Sequence, residues 1–581
     1  MNNHARVSAR LAAAIGIVGI GVIAGSNLGH AQGRLARRGA PHDWSHSRLV
    51  ATRFGPDLDR AIDSDLRTYN KHLRRDLAKA NRMPEPVLDF FGTLLKKLMP
   101  PQAPVASTPH LDWFLNTGGY GPVVGDPAKY SFDIASANCA DVIYYTVNQP
   151  GSLTAANVIA ITNPYSTCPG NAGGTTPTVK FALRLTSGTA TAAVPSLDGT
   201  VLYVLESRAT STLLHAINVN NITTNPGAYD FTTNTWTQTH TLSASPIGTA
   251  SSEQLFQLTY AGITNNVASP YLDYAANQIF FGDSAGRIHR VTDVNTAAAA
   301  QYTSNGFPVS CGTAQVQSPI FWDDQLITGS ADGKIYRTDL SGATPYACIG
   351  SSASGAGTAT VGGGQSAPIL DVTNEKIIVS TNNANGGGGR LIGAWNLRFT
   401  AGELSTSSAY TGGVSTTLMP VAPAFDDAFW STNSGSLYGV GTNNANSNTY
   451  LVRVGYNGEI GNVIGRAALT RSGGGIAIVA TSPVTEFLTG AASNPDYIFV
   501  GGSTSNYRFM NRISAGFIGT DNSPKAMDGS FAPAGGVMSG IIIDTNLAAM
   551  TGATAKANIY FGTIGVASTT MSTIVQLAQA F

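Results

Sequence analysis

Histidines and paired carboxylates are the residues of this chain whose types could carry a reaction. A nucleophilic triad needs an imidazole base, and the chain has nine histidines. His4 and His30 fall in an apolar leader, and His42, His46, His72 and His110 precede a repeating body. His215, His240 and His289 remain. His215 (Leu214-His215-Ala216-Ile217) and His289 (Ile288-His289-Arg290-Val291) occupy one repeat position, which Tyr336 and Tyr438 take elsewhere. A position shared between repeats points to packing within a sheet. His240 sits in a Thr-rich strand with no local partner. Asp323-Asp324 and Asp426-Asp427 would suit acid–base or calcium chemistry. Both fall where one strand turns into the next, and Asp favours turns because its side chain bonds the local backbone. His42-Asp43-Trp44-Ser45-His46 has two histidines four apart, but no helical pattern surrounds them to make a metal site. Gly386 to Gly389 before Arg390 does not join a strand to a helix, so it reads as a loop and not a phosphate cradle. No catalytic, metal or cofactor residue is therefore assigned.

These residues must be positioned by a repeat. The phrase Ser269-Pro270-Tyr271-Leu272-Asp273, followed by Gln278 to Gly282, Asp283-Ser284-Ala285-Gly286 and Arg287-Ile288-His289, returns along the chain. It returns from Ser318-Pro319, Ala367-Pro368, Ala422-Pro423 and Ser482-Pro483, and more weakly from Val194-Pro195 and Ser539-Gly540. The earliest copy lies around Phe132, with Val142 to Tyr145 and Asn157 to Ala160. Each unit has β-branched and aromatic runs broken by turns such as Asp-Ser-Ala-Gly and Ala-Asp-Gly, the pattern of short antiparallel strands. Four-stranded units of about 50–60 residues are β-propeller blades. The expected fold is all-β, a β-propeller of eight four-stranded blades, with seven as the alternative. The last unit stops after its third strand near residue 581. Asp112 to Thr117 reads as an orphan strand that would complete it and close the ring.

The phrase Ile279 to His289 resembles the quinoprotein-like (PQQ-like) and WD-type propeller repeats over roughly residues 105–581. More narrowly, His42-Asp43-Trp44-Ser45, Cys139 with Val142-Ile143-Tyr144, and the phrase at 269–274 resemble a group of secreted bacterial propeller proteins of unassigned activity. The resemblance implies the fold and not the cofactor. Quinone-dependent dehydrogenases of this fold carry adjacent cysteines and blade-periodic tryptophans. Here no two cysteines are adjacent, and the six tryptophans lack that period. Ser330-Ala331-Asp332-Gly333 partly matches the box of sialidase-type propellers but lacks its tryptophan.

The four cysteines are Cys139, Cys168, Cys311 and Cys348. In the blade register Cys139 and Cys168 lie in turns on one propeller face, which suits a bridge; Cys311 and Cys348 then pair by exclusion. Disulfides fit an oxidising compartment. Residues 1–31 read as a secretory signal: Arg6 and Arg10, then an apolar run from Leu11 to Gly25, then Gly29-His30-Ala31. That run is short for a membrane span, which needs about 20 residues. The expected location is secreted: periplasmic, cell-surface or extracellular, with no transmembrane span after cleavage. Residues 32–104 hold 14 basic and 8 acidic side chains, against 18 and 26 in 105–581. Within this basic arm, Leu58, Ile62, Leu66, Tyr69, Leu73 and Leu77 have helical spacing, and a second amphipathic run spans 87–99. A Pro-rich linker ends the arm.

Charged residues are 12% of the chain, against about 25% in an ordinary soluble domain, and the formal net charge is zero. Nucleic-acid binders carry a basic footprint, so no nucleic-acid partner is expected. The first expectation is a binding or scaffold module taking a protein or polysaccharide ligand on a propeller face. The arm is a candidate connector to an acidic partner or for self-assembly, which would make the chain a subunit of an extracellular assembly. The competing reading is an enzyme with its site at the central channel, a quinone-dependent dehydrogenase or a carbohydrate-active hydrolase or lyase.

Overall fold

The structure, a computed structural model, describes residues 40–41, 50–51, nearly all of 110–350 and, beyond that, mainly the strands up to 580. The leader 1–31, the helical runs of the arm and the His42–His46 cluster lie outside the described residues. Every element among the described residues is a β-strand.

Three strands precede the repeat: β1 (Ala40–Pro41), β2 (Val50–Ala51) and β3 (His110–Asn116). The first sheet is a meander of β4 (Ala128–Ser131), β5 (Val142–Thr146), β6 (Val158–Thr162) and β7 (Thr178–Leu183). In the second, β8 (Gly188–Ala190) and β9 (Val194–Pro195) both flank β10 (Val201–Arg208), which pairs with β11 (Ser211–Asn218). A hairpin of β12 (Ala228–Asp230) and β13 (Thr235–Gln238) is inserted before its outer strand β14 (Gln254–Ala261). The third sheet runs β15 (Tyr271–Asp273), β16 (Gln278–Gly282) and β17 (Arg287–Thr292), with β18 (Ala300–Gln301) and β19 (Val309–Ser310) on its outer edge. The fourth has β20 (Ile320–Trp322), β21 (Gln325–Gly329), β22 (Ile335–Asp339) and β23 (Cys348–Gly350), followed by the small hairpin β24 (Ser354–Gly355) and β25 (Ala359–Thr360). The fifth contains β26 (Ile369–Asp371), β27 (Lys376–Asn382) and β28 (Arg390–Asn396). The sixth contains β29 (Ala424–Phe425), β30 (Gly435–Thr442), β31 (Thr449–Tyr456) and β32 (Ile460–Ala468). A three-stranded sheet of β33 (Thr485–Leu488), β34 (Asp496–Val500) and β35 (Arg508–Arg512) follows. The last sheet has β36 (Ile542–Thr545), β37 (Lys556–Gly562) and β38 (Thr573–Ala580), with β3 as its outer strand.

The second strands are buried from end to end, as in Val142–Thr146, Gln278–Gly282 and Gln325–Gly329. The reason is that each sheet is covered on both faces. Side chains alternate across a strand, and here the alternate sets feed two different cores. Val142 and Tyr144 pack with Leu202 and Val204 of the second sheet. Ile143 and Tyr145 pack with Tyr560 and Ile574 of the last. The same sharing joins the second to the third sheet (Leu214 with Ile279 and Phe281) and the third to the fourth (Phe280 with Leu326). It joins the fourth to the fifth (Ile327 with Ile377), the fifth to the sixth (Ile378 with Leu437) and the sixth to the three-stranded sheet (Tyr438 with Ile498). Thr485 Oγ1 then donates to the Ile541 carbonyl at 3.0 Å, linking the three-stranded sheet to the last. First strands of adjacent sheets neighbour one another, β4 with β9 and β15 with β20, so they line the inside. Meander sheets packed face to face in a closed circle are the topology of a β-propeller.

Closure runs through the backbone. β3 pairs antiparallel with β38, from His110 opposite Ala578 to Asn116 opposite Thr573. The Thr117 amide donates to the Ser572 carbonyl at 2.8 Å, and Ser572 Oγ donates to the Gly119 carbonyl at 2.9 Å. The β12–β13 hairpin clasps this closing strand. Trp236 Nε1 donates to the Asn116 carbonyl (2.9 Å), the Asn116 amide donates to Tyr229 Oη (2.8 Å), and Asn116 Nδ2 donates to the Asn234 carbonyl (3.1 Å). Tyr229 and Trp236 meet edge to face at 4.9 Å. An outer strand otherwise offers unpaired amides to other chains.

One position differs from the repeat alignment. Tyr438 lies in β30, which pairs with both β29 and β31, so it sits on a second strand. His215, His289 and Tyr336 are on third strands. Gly-Ser-Leu-Tyr at 435–438 resembles a turn and third strand in composition, but its Leu and Tyr are buried between the fifth, sixth and three-stranded sheets.

Trp236→Ala removes a buried indole and its bond to the closing strand. It is expected to destabilise the fold by about 3–5 kcal/mol, whereas Ile464→Ala at an exposed outer position changes stability by under about 0.5 kcal/mol. Thermal unfolding of both variants checks this; equal melting temperatures would remove the hairpin from the closure.

Candidate functional site

Both histidines of the repeat pair with a carboxylate diagonally across a hairpin. His289 on β17 stands opposite Phe281, and Asp283 follows two residues beyond. His289 Nε2 lies 2.8 Å from Asp283 Oδ2. The ring stacks on Phe281 at 4.8 Å and meets Tyr260 edge-on at 5.1 Å. Its Nδ1 has no hydrogen-bond partner among the described residues. Asp283 also accepts from Arg287 Nε at 2.9 Å and from the amides of Ala285 and Arg287. Burial raises the Asp283 carboxyl, but the bond from His289, the Arg287 amide and the nearby cations outweigh it and hold it below the ordinary range. In the second sheet His215 Nε2 lies 2.8 Å from Glu206 Oε2, which also accepts from Arg208 at 2.8 Å. Burial again raises the Glu206 carboxyl, and His215 with Arg208 reverses the sign. Packing was the sequence expectation for these histidines; an ionic hairpin lock is what the structure adds. Among the described residues no serine, threonine or cysteine hydrogen-bonds either imidazole.

His240 has partners that its neighbours in sequence do not suggest. Nε2 lies 3.0 Å from Glu253 Oε2, and Nδ1 lies 3.0 Å from the Asn225 carbonyl. It joins the inserted segment to the outer edge of the first sheet, where its amide donates to the Ala182 carbonyl.

The carboxylates read as turn residues do sit in turns. Asp323 and Asp324 have φ of 47° and 58° and form the two-residue connection between the paired Trp322 and Gln325, the geometry of a tight hairpin turn. Asp426 Oδ1 accepts the Phe429 amide at 2.8 Å; Asp427 lies outside the described residues. Asp332 accepts from Tyr336 Oη and from the Lys334 amide within its own turn. Gly386 to Gly389 lie outside the described residues. Among the described residues no three His, Cys, Asp or Glu side chains gather as for a metal.

Cys139 is bonded to Cys168, with Cα atoms 5.6 Å apart, and Cys311 to Cys348, at 5.0 Å. The first bridge ties two turns of the first sheet. The second ties the outer strands of the third and fourth sheets.

Beside the first bridge lies a buried charge network that sequence reasoning missed. Lys129 Nζ donates to Asp141 Oδ2 (3.0 Å) and Ser131 Oγ (2.7 Å). Tyr165 Oη donates to the same carboxylate oxygen at 2.6 Å, and the Phe132 amide donates to Asp141 Oδ1 at 2.9 Å. A buried ion pair is tolerable only when its remaining groups are bonded, as these are. The signal in sequence was weak: a lysine in a short apolar strand, twelve residues before an aspartate.

This network sets the turn that carries Phe132, whose side chain is 40% exposed. Tyr130 lies beneath it, edge to face at 5.0 Å, and donates its hydroxyl to the Leu197 carbonyl at 3.3 Å. Leu197, on the equivalent turn of the second sheet, is 43% exposed. The Tyr130 ring passes under Gly199, where φ is +70° and a Cβ would come within 2.5 Å of the ring. Ser196, Asp198 and Thr200 lock that turn through hydrogen bonds of 2.6–3.1 Å. Two large apolar side chains are thus exposed at the same end of adjacent sheets, Phe132 with its amide bonded to Asp141 and Leu197 beside the Ser196–Thr200 turn. Clustered exposed apolar groups mark interaction sites more than single ones do. Tyr120 and Leu153 are exposed on the opposite side of the first sheet alone.

No protein-family description and no curated relative matches this chain. Among solved structures it is similar to the computationally designed Ika8 protein, at 10% identity over 79% of this chain and 98% of that one, with a TM-score of 0.40. It is similar to BamB from Moraxella catarrhalis, at 10% identity over 81% and 98%, with a TM-score of 0.35. It is also similar to Sqt1 of Saccharomyces cerevisiae, at 10% identity over 82% and 99%, with a TM-score of 0.43.

A carboxyl whose folded pKa is depressed stabilises the fold above its unfolded pKa, near 3.9 for Asp, and loses that contribution as pH falls through the folded value. Stability is therefore expected to drop as pH falls below about 4. Asp283→Asn should lower the melting temperature at pH 7 and flatten the acid limb of its pH profile. A parallel acid limb in the variant would exclude Asp283 as a contributor.

Proposed function

We propose that this chain is an exported β-propeller of eight blades that acts as a binding or scaffold module outside the cytoplasm. The order of the sheets supports that count, with the three-stranded sheet taken as one blade and β3 as the outer strand of the last. Two disulfides favour export, since such bonds persist in oxidising compartments. Among the described residues no helix is long and apolar enough to cross a membrane.

The observation that carries the binding reading is the Phe132–Leu197 pair. It spans two adjacent sheets, with the Phe132 amide bonded to Asp141 and Leu197 on the turn held by Ser196, Asp198 and Thr200. Rigid loops on a scaffold host recognition, and apolar anchors in its centre carry most of an interface's energy. A protein ligand with an apolar contact fits this pair better than a polysaccharide does. The acid–histidine pairs support the same reading, because each is engaged inside its own hairpin. The basic arm 32–104 would be a second contact, for an acidic partner or another copy.

Recovery of tagged protein from envelope and medium, with mass spectrometry of what travels with it, tests this. Phe132→Ser/Leu197→Ser is expected to lose a co-purifying protein, by tenfold or more, while keeping the wild-type melting temperature. A chain lacking 32–104 tests the arm in parallel. Identical recovery from all three forms would end the docking idea and favour a site in the central channel.

A further inference from the structure

The charges of the second, third and fourth sheets are sorted by end. In a meander the first-to-second and third-to-fourth turns fall at one end. The second-to-third turns and the links between sheets fall at the other. Asp198, Asp293, Asp323 and Asp324 are exposed in turns at the first end, the end of Phe132 and Leu197. Arg208, Arg287 and Lys334 lie at the second end, one at each second-to-third turn. The carboxylates of that end are withdrawn from its surface. Glu206 and Asp283 are 0% exposed, while the arginines bonded to them keep 33% and 35% of their side-chain surface open. Asp332 accepts Tyr336 Oη, and Lys334 is exposed. A body with 18 basic and 26 acidic side chains over 105–581 thus turns a row of cations outward here.

A strip of amide side chains runs beside the row. The Asn266 main-chain amide donates to Ser207 Oγ at 2.8 Å, and Ser207 adjoins Arg208 in the chain. Gln315 Nε2 reaches Asn266 Oδ1 at 3.4 Å. The Ala331 amide donates to the Gln315 carbonyl at 2.8 Å, and the Val316 amide to the Asp283 carbonyl at 3.0 Å. These bonds join the links between sheets to the turns that carry the cations. Along this strip Arg208 Nε, Asn266 Nδ2, Gln315 Oε1 and Gln317 Nε2 are buried with no hydrogen-bond partner among the described residues. Asn266 is itself only 3% exposed. Buried polar groups are nearly always bonded, so four unmet atoms in one strip are a strong signal. Gln315 and Gln317 are partly exposed and can turn outward by side-chain rotation alone.

We propose that this end of the second to fourth sheets binds an acidic peptide segment in extended form. The three cations take its carboxylates, as clustered bases do in the recognition of acidic motifs. The amide side chains take its main chain, with Asn266 Nδ2 and Gln317 Nε2 as donors and Gln315 Oε1 as acceptor. Stacked sheets lie about 10 Å apart, and three residues of an extended chain cover the same distance at about 3.3 Å each. Acidic side chains at every third position therefore meet successive sheets. An acidic polysaccharide would satisfy the cations but has no regular main-chain amides for the strip. The inference does not rest on the binding reading of Phe132 and Leu197, which lie at the other end.

The probe is a fluorescent peptide with glutamate at every third position and serine between, titrated into the full chain and followed by anisotropy. Wild type is expected to bind it, more weakly as salt rises because exposed charges are screened. The same peptide with lysine for glutamate is expected not to bind. Arg287→Gln/Lys334→Gln is expected to weaken binding at least tenfold. Arg287 also holds Asp283, so Lys334→Glu, at an exposed position, is measured beside it and is expected to weaken binding at least fivefold with the wild-type melting temperature. Asp293→Asn, at the opposite end, is expected to bind as wild type does. No binding by wild type, or undiminished binding by Lys334→Glu, would overturn the surface. Binding of polygalacturonate in preference to the glutamate peptide would overturn the peptide as its occupant.

Discussion

Everything in this molecule depends on the antiparallel ladder between β3 and β38, which joins residues more than 450 positions apart. A propeller sheet is stable only when both faces are covered. Each inner sheet shares its alternate side chains with the sheets before and after it. The first and last sheets would each lack one partner if the ring stayed open. The ladder brings Tyr560 and Ile574 against Ile143 and Tyr145 and makes the end sheets equivalent to the rest. The clasp from Tyr229 and Trp236 shows how much the closure matters: an insertion from the second sheet reaches across the first to bond one residue, Asn116.

With charge so sparse, the polar groups that are buried serve geometry. Asp283 with His289, and Glu206 with His215, staple second strands to third strands. Asp141 gathers Lys129, Tyr165 and the Phe132 amide and so fixes a turn at the inner end of the first sheet. In each case a carboxylate loses solvation on burial and recovers it from several donors.

Among the described residues, Phe132 and Leu197 are exposed apolar side chains that lie beside this polar framework. Both lie at one end of the ring, next to the edge where β1 is added to β4. That end therefore combines exposed apolar side chains with an inner edge that carries an added strand.

Features that depend on neighbours in sequence were legible in the sequence. The runs Gln278–Gly282 and Gln325–Gly329 announce buried strands because they are apolar throughout and bounded by turns. Asp323-Asp324 announces a turn because both residues tolerate positive φ. The repeat announces an all-β chain. Features that depend on distant residues were not legible. Tyr438 was assigned to a third strand because Gly-Ser-Leu-Tyr has the composition of one, and only its two pairing partners correct that. His240 looked alone because Asn225 and Glu253 reach it through a folded insertion. β1 and β2 are two residues each, too short for any periodicity, and exist only because inner edges are there to receive them. Sequence by itself determined the local pattern, since strand alternation and turn chemistry act over a few residues. Tertiary structure alone decided which sheets meet, where charges are neutralised and which inner edges gain a strand, because those contacts form only once the ring brings remote strands within bonding distance.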